Sequence, residues 1–385
     1  MTLKRAKQLM GLVKLLSRKT VPIKTSTPPS FHSNHHLITI GYSHYCEKIR
    51  FALSLSSIST TYIEERHLPA FHVPFTLDLR KVQRYPQTPQ QYHVYDYLKH
   101  CGMKQEKENE KEKEKLSPKE LTGVPKMYVN ISINNSNSCS SSESSQGDTS
   151  QVPVVIADGS NGIMKYLHHH CHQCQHFYPE DISDQVEELE IYLDTELGAS
   201  ASDWAFSNML LTSSDPTPRN EKSLDYFLNE LTKLDDNKNS FVEILLFKIF
   251  GKSTLIPLMV ESNGVSASNK ESSRKKITDI FEKIDAILVD RENLTSKDNN
   301  RGKFAYLFGT MKPTAADITL ATLAAPVLLL DATKENFPTL ESMKTYISQQ
   351  DNDRNNALEC EGLIDMVNFA AQMRETKTGM HCNHI

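Results

Sequence analysis

Residues 37–53, LITIGYSHYCEKIRFAL, constrain the fold more than any other stretch, because within them the apolar pattern changes period once, at a polar turn. Leu37 to Ile40 is apolar and β-branched, the pattern of a buried strand, and Gly41 punctuates it. From Tyr45 onward, Tyr45, Ile49, Ala52 and Leu53 recur at helical spacing, with Glu47, Lys48 and Arg50 assigned to other faces. Ser43 then stands at the helix N-cap and Cys46 in the first turn. A strand that delivers a hydroxyl and a thiol to the positive end of a helix makes a place where a thiolate is stabilised. The same two residues also read as a plain cap and a small buried apolar side chain. The segment alone leaves both readings open.

Beyond it, Thr60 to Glu64 reads as a second strand, completing a strand-helix-strand unit. GVPKMYVNI (123–131) and VPVVIA (152–157) read as two further strands, the arms of a hairpin whose loop is the polar, low-complexity run SINNSNSCSSSESSQGDTSQ. KQEKENEKEKEKLSPKE reads as a solvated insertion. Ser160 opens a helical segment, and from Asp181 onward apolar spacing is helical in VEELEIYLDTEL, SLDYFLNELTKL, FVEILLFKIFGKSTLIPLMV (241–260), KKITDIFEKIDAIL and ADITLATLAAPVLLL. The predicted layout is a small α/β domain followed by an all-helical domain. Its boundaries are an extension over 1–36, an α/β domain over 37–176 with polar insertions at about 67–120 and 132–151, helices over 177–348, and a weakly periodic tail over 349–385.

Composition narrows the function classes. The chain has 385 residues, 38% hydrophobic and 24% charged, with a formal net charge of -5, which gives no general attraction to nucleic acid. Seven cysteines, an odd number at irregular spacing, do not form a disulfide framework and fit a reducing compartment. No apolar run approaches the about 20 residues that a spanning helix needs, so no transmembrane segment is expected. The first acidic residue is Glu47, and the basic residues before it are uncompensated. With Leu3, Met10, Val13 and Leu16 they have the character of a mitochondrial or plastid transit peptide, the alternative being a basic tail on a cytoplasmic protein. HHHCHQCQH (168–176) raises zinc or copper, but it lacks a second paired cluster at finger-like spacing; it reads as a histidine-rich helix end, and no metal is expected. Thr314 and Asp317 have capping-box spacing ahead of an apolar helix.

The order of elements, with its Ser-x-x-Cys helix, Val-Pro strand and Ser-led helix before the helical half, resembles the glutathione transferase superfamily, a thioredoxin-like domain followed by an all-α domain. SHYCEKIRFAL followed by YIEERHLPAFH is similar to a group of transferase-like proteins whose first helix starts with Ser-His-Tyr. TGVPKMYV, ADGSNGIMKYL, FYPEDISDQVEELEIYLDTELG and LFGTMKPTAADITLATLAAP resemble later segments of the superfamily. The resemblance covers about 37–67, 121–206 and 300–330. It implies glutathione as co-substrate and a small electrophile as second substrate. Ser43 would donate a hydrogen bond to the glutathione sulfur, and Cys46 would hold the second position of a redox pair. Val124 and Pro125 would present a backbone edge to the cysteinyl part, and Asp158 and Ser160 would bind the γ-glutamyl end. The superfamily's usual acid before that serine is here Gly159, with Asp158 displaced by one. A homodimer is implied as well. Two alternatives accompany this expectation: a non-catalytic transferase-fold scaffold that binds proteins, and a thiol transferase using Cys46.

Overall fold

The structure is a computed structural model and describes residues 35–55, 62–68, 125–134, 149–210, 221–233, 247, 265–297, 306–331, 337–350 and 360–385. It is mostly helical, with a small sheet near the N-terminus. The basic extension up to residue 34, Val124, the charged run after residue 103 and most of the apolar segment at 241–260 lie outside the described residues, while His35 and His36, expected in the extension, begin the first strand.

Strand β1 (His35–Ile40) buries Leu37, Ile38 and Thr39 in succession. Consecutive burial, in place of alternation, fits a strand inside a sheet, and the sheet order puts β1 between β2 (Tyr62–His67) and β3 (Lys126–Asn134), with β4 (Thr149–Asp158) on the far side of β3. β1 runs antiparallel to β3, with His35 opposite Val129 and Ile38 opposite Lys126. β3 runs antiparallel to β4 from Lys126 opposite Asp158 to Asn134 opposite Thr149, with one irregularity at Met127/Tyr128. Thr39 donates to the Glu64 carboxylate at 2.5 Å.

The strands differ from the expected ones at their ends. β2 reaches His67, beyond the expected Glu64. Residues 132–134 and 149–151, assigned by composition to a polar insertion, belong to β3 and β4. A ladder satisfies backbone N–H and C=O groups whatever the side chains, so serine and asparagine extend it as well as valine does.

The helical part contains α1 (His44–Ser54), α2 (Gly159–His170), α3 (Ser183–Tyr192), α4 (Ala199–Leu210), α5 (Glu221–Lys233), α6 (Ala267–Lys297), α7 (Ala315–Leu328), α8 (Leu340–Gln350), α9 (Glu361–Arg374) and α10 (Lys377–His384). A π-helical segment, Leu193–Gly198, joins α3 to α4. Two compact units result. The first holds β1 up to Thr39, residues 60–65, β3, β4 and α2 up to Ile163; the second holds α1, residues 66–69 and everything from Met164 onward.

Helix α7 is the core of the second unit, buried along its whole length. Its start carries the expected capping box, the Thr314 hydroxyl accepting from Asp317 N–H and the Asp317 carboxylate accepting from Thr314 N–H at 2.9 Å. Asp317 does more than cap: its other oxygen accepts from Leu307 N–H at 2.8 Å and lies 3.1 Å from His381 Nε2. At the opposite end, Arg374 Nε donates to the Leu328 carbonyl at 2.7 Å, covering acceptors that a helix C-terminus leaves open. Within the weakly periodic tail over 349–385 the structure places α9 and α10. Leu363, Met366, Phe369 and Met373 form the buried stripe of α9.

Candidate functional site

The turn between β1 and α1 needs one residue with left-handed backbone to swing the chain from strand to helix. That residue is Tyr42, at φ 60°, and not Gly41. A tyrosine in this region is strained and persists only where its surroundings over-determine it. Its ring is held edge-on to Phe227 at 5.2 Å and tilted against Phe337 at 5.7 Å.

Ser43 follows in extended conformation as the N-cap of α1. Its Oγ accepts from Cys46 N–H at 3.3 Å, and its carbonyl accepts from Glu47 N–H at 2.9 Å. Capping consumes a lone pair of the hydroxyl and leaves its proton to donate. The cap reading and the thiol-activating reading of Ser43 are therefore compatible. Cys46 has 0% exposure, enclosed one turn inside the helix.

The faces of α1 differ from the expectation. Glu47, Lys48 and Arg50, assigned to faces other than the apolar one, are all buried. Lys48 has 0% exposure, with Nζ 2.7 Å from Glu190 and 2.9 Å from Asp194. The Tyr178 hydroxyl donates to Glu190 at 2.6 Å. The Tyr45 hydroxyl donates to the Asp194 carbonyl at 2.9 Å. His44, next to Ser43, is 6% exposed, and burial lowers its pKa to about 4, partly offset by a hydrogen bond to the Gly198 backbone.

Pro125, Asp158 and Ser160 meet at one end of the β3–β4 ladder. Lys126 pairs with Asp158, and Gly159 N–H donates to the Pro125 carbonyl at 3.0 Å. Gly159 has φ +73°, a conformation rarely adopted by residues with a Cβ. This is the physical reason for glycine at this position. Ser160 is the second residue of α2 and 8% exposed. Its backbone N–H is among those a helix start leaves without intrahelical acceptors, and the first turn of α2 contains no acid to compete for an anion. Ser43 and Cys46 belong to the second unit, while Pro125, Asp158 and Ser160 belong to the first.

The histidine-rich turn is anchored by its cysteines: Cys171 and Cys174 are buried, and Cys174 N–H donates to the Cys171 carbonyl at 2.9 Å. Among the described residues, no group of three histidine, cysteine or acidic side chains is placed to hold a metal ion. No described helix is long and apolar enough to cross a membrane. Trp204 packs edge-on against Phe369 at 4.9 Å. The residues missed from sequence are Tyr42, His44 and Lys48. Only the proximity of Tyr42 and His44 to Ser43 marked them, since their burial depends on partners far along the chain. Comparison with known proteins adds no family: no family model matches the chain, and no curated protein matches it at a significant level.

Proposed function

We propose that the chain is a glutathione transferase-like enzyme in which Ser43 activates the glutathione thiol. The observation that carries this reading is the Ser43 cap: its Oγ accepts from Cys46 N–H, leaving the hydroxyl proton to donate at the start of an 11-residue helix. A sulfur bound there loses its proton to solvent and is stabilised as thiolate by that hydrogen bond and by the helix N-terminus. The thiolate then forms a C–S bond with an electrophilic carbon, either by addition or with departure of a halide or similar anion. The strand order β2-β1-β3-β4 with antiparallel β1/β3 and β3/β4 pairs supports the thioredoxin-like part of the reading. The enclosed Sγ of Cys46 favours Ser43 over thiol transfer through Cys46.

Calorimetry with glutathione, together with turnover of a general aryl halide by the wild type and Ser43→Ala, tests the proposal. Binding below millimolar concentration and a turnover loss of about a hundredfold in the variant are expected. Absence of binding at millimolar glutathione overturns it. One observation favours a second reading, a scaffold of the same fold: left-handed Gly159 replaces the acid that would hold the ligand's ammonium group. For residues 1–36 we propose a transit peptide. A reporter fused to them is expected in mitochondria or plastids, and a diffuse cytosolic signal removes that proposal.

A further inference from the structure

The Cys-x-x-Cys pair of the histidine-rich turn has no part in the chemistry proposed for Ser43. Helix α2 ends at His170, and a 3-10 helix, His172–Phe177, follows it with Cys171 as N-cap in extended conformation. Cysteine is not among the favoured caps, and the Cys171 side chain makes no capping bond. Its Sγ donates instead to the side-chain oxygen of Gln173 at 3.3 Å. Cys174 N–H donates to the Cys171 carbonyl at 2.9 Å and closes a single turn. In such a turn the first and fourth α-carbons lie within about 7 Å, and a disulfide spans about 4.4–6.8 Å. An N-cap side chain also stands over the residue three positions on, the relation that a capping box exploits. Backbone spacing and side-chain direction both suit a bond between the two sulfurs.

The surroundings give the two thiols different parts. Both are in the reduced form, Cys171 at 4% exposure and Cys174 at 0%. Gln173, which engages the Cys171 sulfur, is an exposed residue. Exposed side chains change rotamer in picoseconds to nanoseconds, and each swing of this amide uncovers Cys171. Aromatic contacts hold the turn in place, His168 edge-on to Tyr178 at 5.3 Å and His176 edge-on to Phe177 at 4.8 Å. Two thiols fixed one turn apart react as an intramolecular pair, at an effective concentration that an external thiol does not match. We infer that Cys171 and Cys174 form a reversible dithiol/disulfide couple, oxidised by a low-molecular-weight disulfide such as glutathione disulfide. The Cys171 thiol loses its proton to solvent, and the thiolate attacks one sulfur of the small disulfide, giving a mixed disulfide and expelling one thiolate. Cys174, deprotonated in turn, attacks the Cys171 sulfur, and the second small thiolate leaves. Each expelled thiolate takes up a proton, so two protein thiols are oxidised to one disulfide while one small disulfide is reduced to two thiols. In a reducing compartment such a couple forms transiently and follows the redox poise. The inference does not rest on the reading of Ser43.

The full-length chain is equilibrated at neutral pH with reduced and oxidised glutathione in a rising oxidised fraction, quenched with acid, alkylated, digested and analysed by mass spectrometry. The peptide carrying Cys171 and Cys174 is expected to lose two hydrogens and both alkyl groups with a single midpoint, and dithiothreitol to restore them. Cys174→Ser is expected to stop at the mixed disulfide, with glutathione on Cys171. Cys171→Ser is expected to leave Cys174 without glutathione, because the enclosed sulfur is not the one attacked first. In the wild type, alkylation of both thiols of that peptide at every ratio overturns the inference, and this result needs no variant to fold. So does a disulfide that forms only where urea has unfolded the chain, as followed by the fluorescence of Trp204, the sole tryptophan. Glutathione on Cys174 in Cys171→Ser to the extent found on Cys171 in Cys174→Ser likewise overturns the assigned order of attack.

Discussion

At Gly159 backbone geometry and ligand chemistry pull in opposite directions. Its φ of +73° suits glycine, while the open space around a would-be Cβ leaves room for a side chain. Aspartate is among the few residues that visit this region, at a cost of about 1 kcal/mol. Gly159→Asp is therefore expected to lower the melting temperature by about 2–3 °C and to tighten glutathione binding about tenfold through a charge-assisted bond to the ligand's ammonium. Calorimetry decides it: unchanged affinity shows that the lost acid is not what limits binding. His44 supplies a pH signature. Its folded pKa, about 4, lies below the 6.5 ordinary for histidine, so between those limits the unfolded chain binds the extra proton and stability falls as pH falls. The full contribution is about 3 kcal/mol. Chemical denaturation followed by the fluorescence of Trp204, the sole tryptophan, should show a stability difference between wild type and His44→Gln that shrinks from pH 7 toward pH 4. A constant difference rejects the assignment. The cap at Ser43 was legible from the change of period at the turn. The left-handed residue was not, since glycine is the default for that conformation and only packing on Phe227 and Phe337 accounts for Tyr42.

Helix α1 and the π segment hold each other. A π turn widens the helix and leaves carbonyls poorly matched to their usual donors, and here the Tyr45 hydroxyl takes the Asp194 carbonyl while Lys48 takes the Asp194 carboxylate. Lys48, Glu190 and Tyr178 extend the grip to α3. A buried cation removed from its acids leaves uncompensated charge, at a cost of about 3–5 kcal/mol. Lys48→Met is expected to lose that much in denaturant unfolding, and Lys48→Met with Glu190→Gln to recover most of it; a double variant no better than the single one rules out electrostatic coupling as the cause. None of this was legible in sequence, because a lysine between glutamate and arginine on an amphipathic helix has the pattern of a surface residue. Helices α9 and α10 contrast in the same way. The stripe Leu363, Met366, Phe369 and Met373 is helical by inspection. Helix α10 buries Thr378, Gly379, His381 and Cys382 instead, and its anchor is the Asp285 carboxylate, which accepts from both the N–H and the hydroxyl of Thr378. Gly362 lets α9 approach α4 at backbone distance, a Cβ there falling 1.8 Å from the Asn208 carbonyl oxygen. Close approach of this kind leaves no periodic trace.

Over the whole molecule, the sheet and the helical part were legible in order because apolar segments survive long polar interruptions. The same fact separates residues that stabilise the fold from residues that only connect it. Between β2 and β3 lies the run KQEKENEKEKEK, residues 104–115, which contains no apolar side chain. Its composition reads as a solvated insertion. On that expectation its effect on stability reduces to loop closure, which changes by only about 0.6 kcal/mol for a doubling of length. Excising part of the connection alters it by a few tenths at most, below about 1 °C in melting temperature for a chain of this size. Deleting residues 104–115 is therefore expected to leave both the Trp204-monitored melting temperature and the turnover proposed for Ser43 unchanged. A fall of several degrees would mean that the run is bound to the folded units through its charges, and adding salt to the wild type would then reproduce the loss, because such contacts are screened within about 10 Å at 0.1 M.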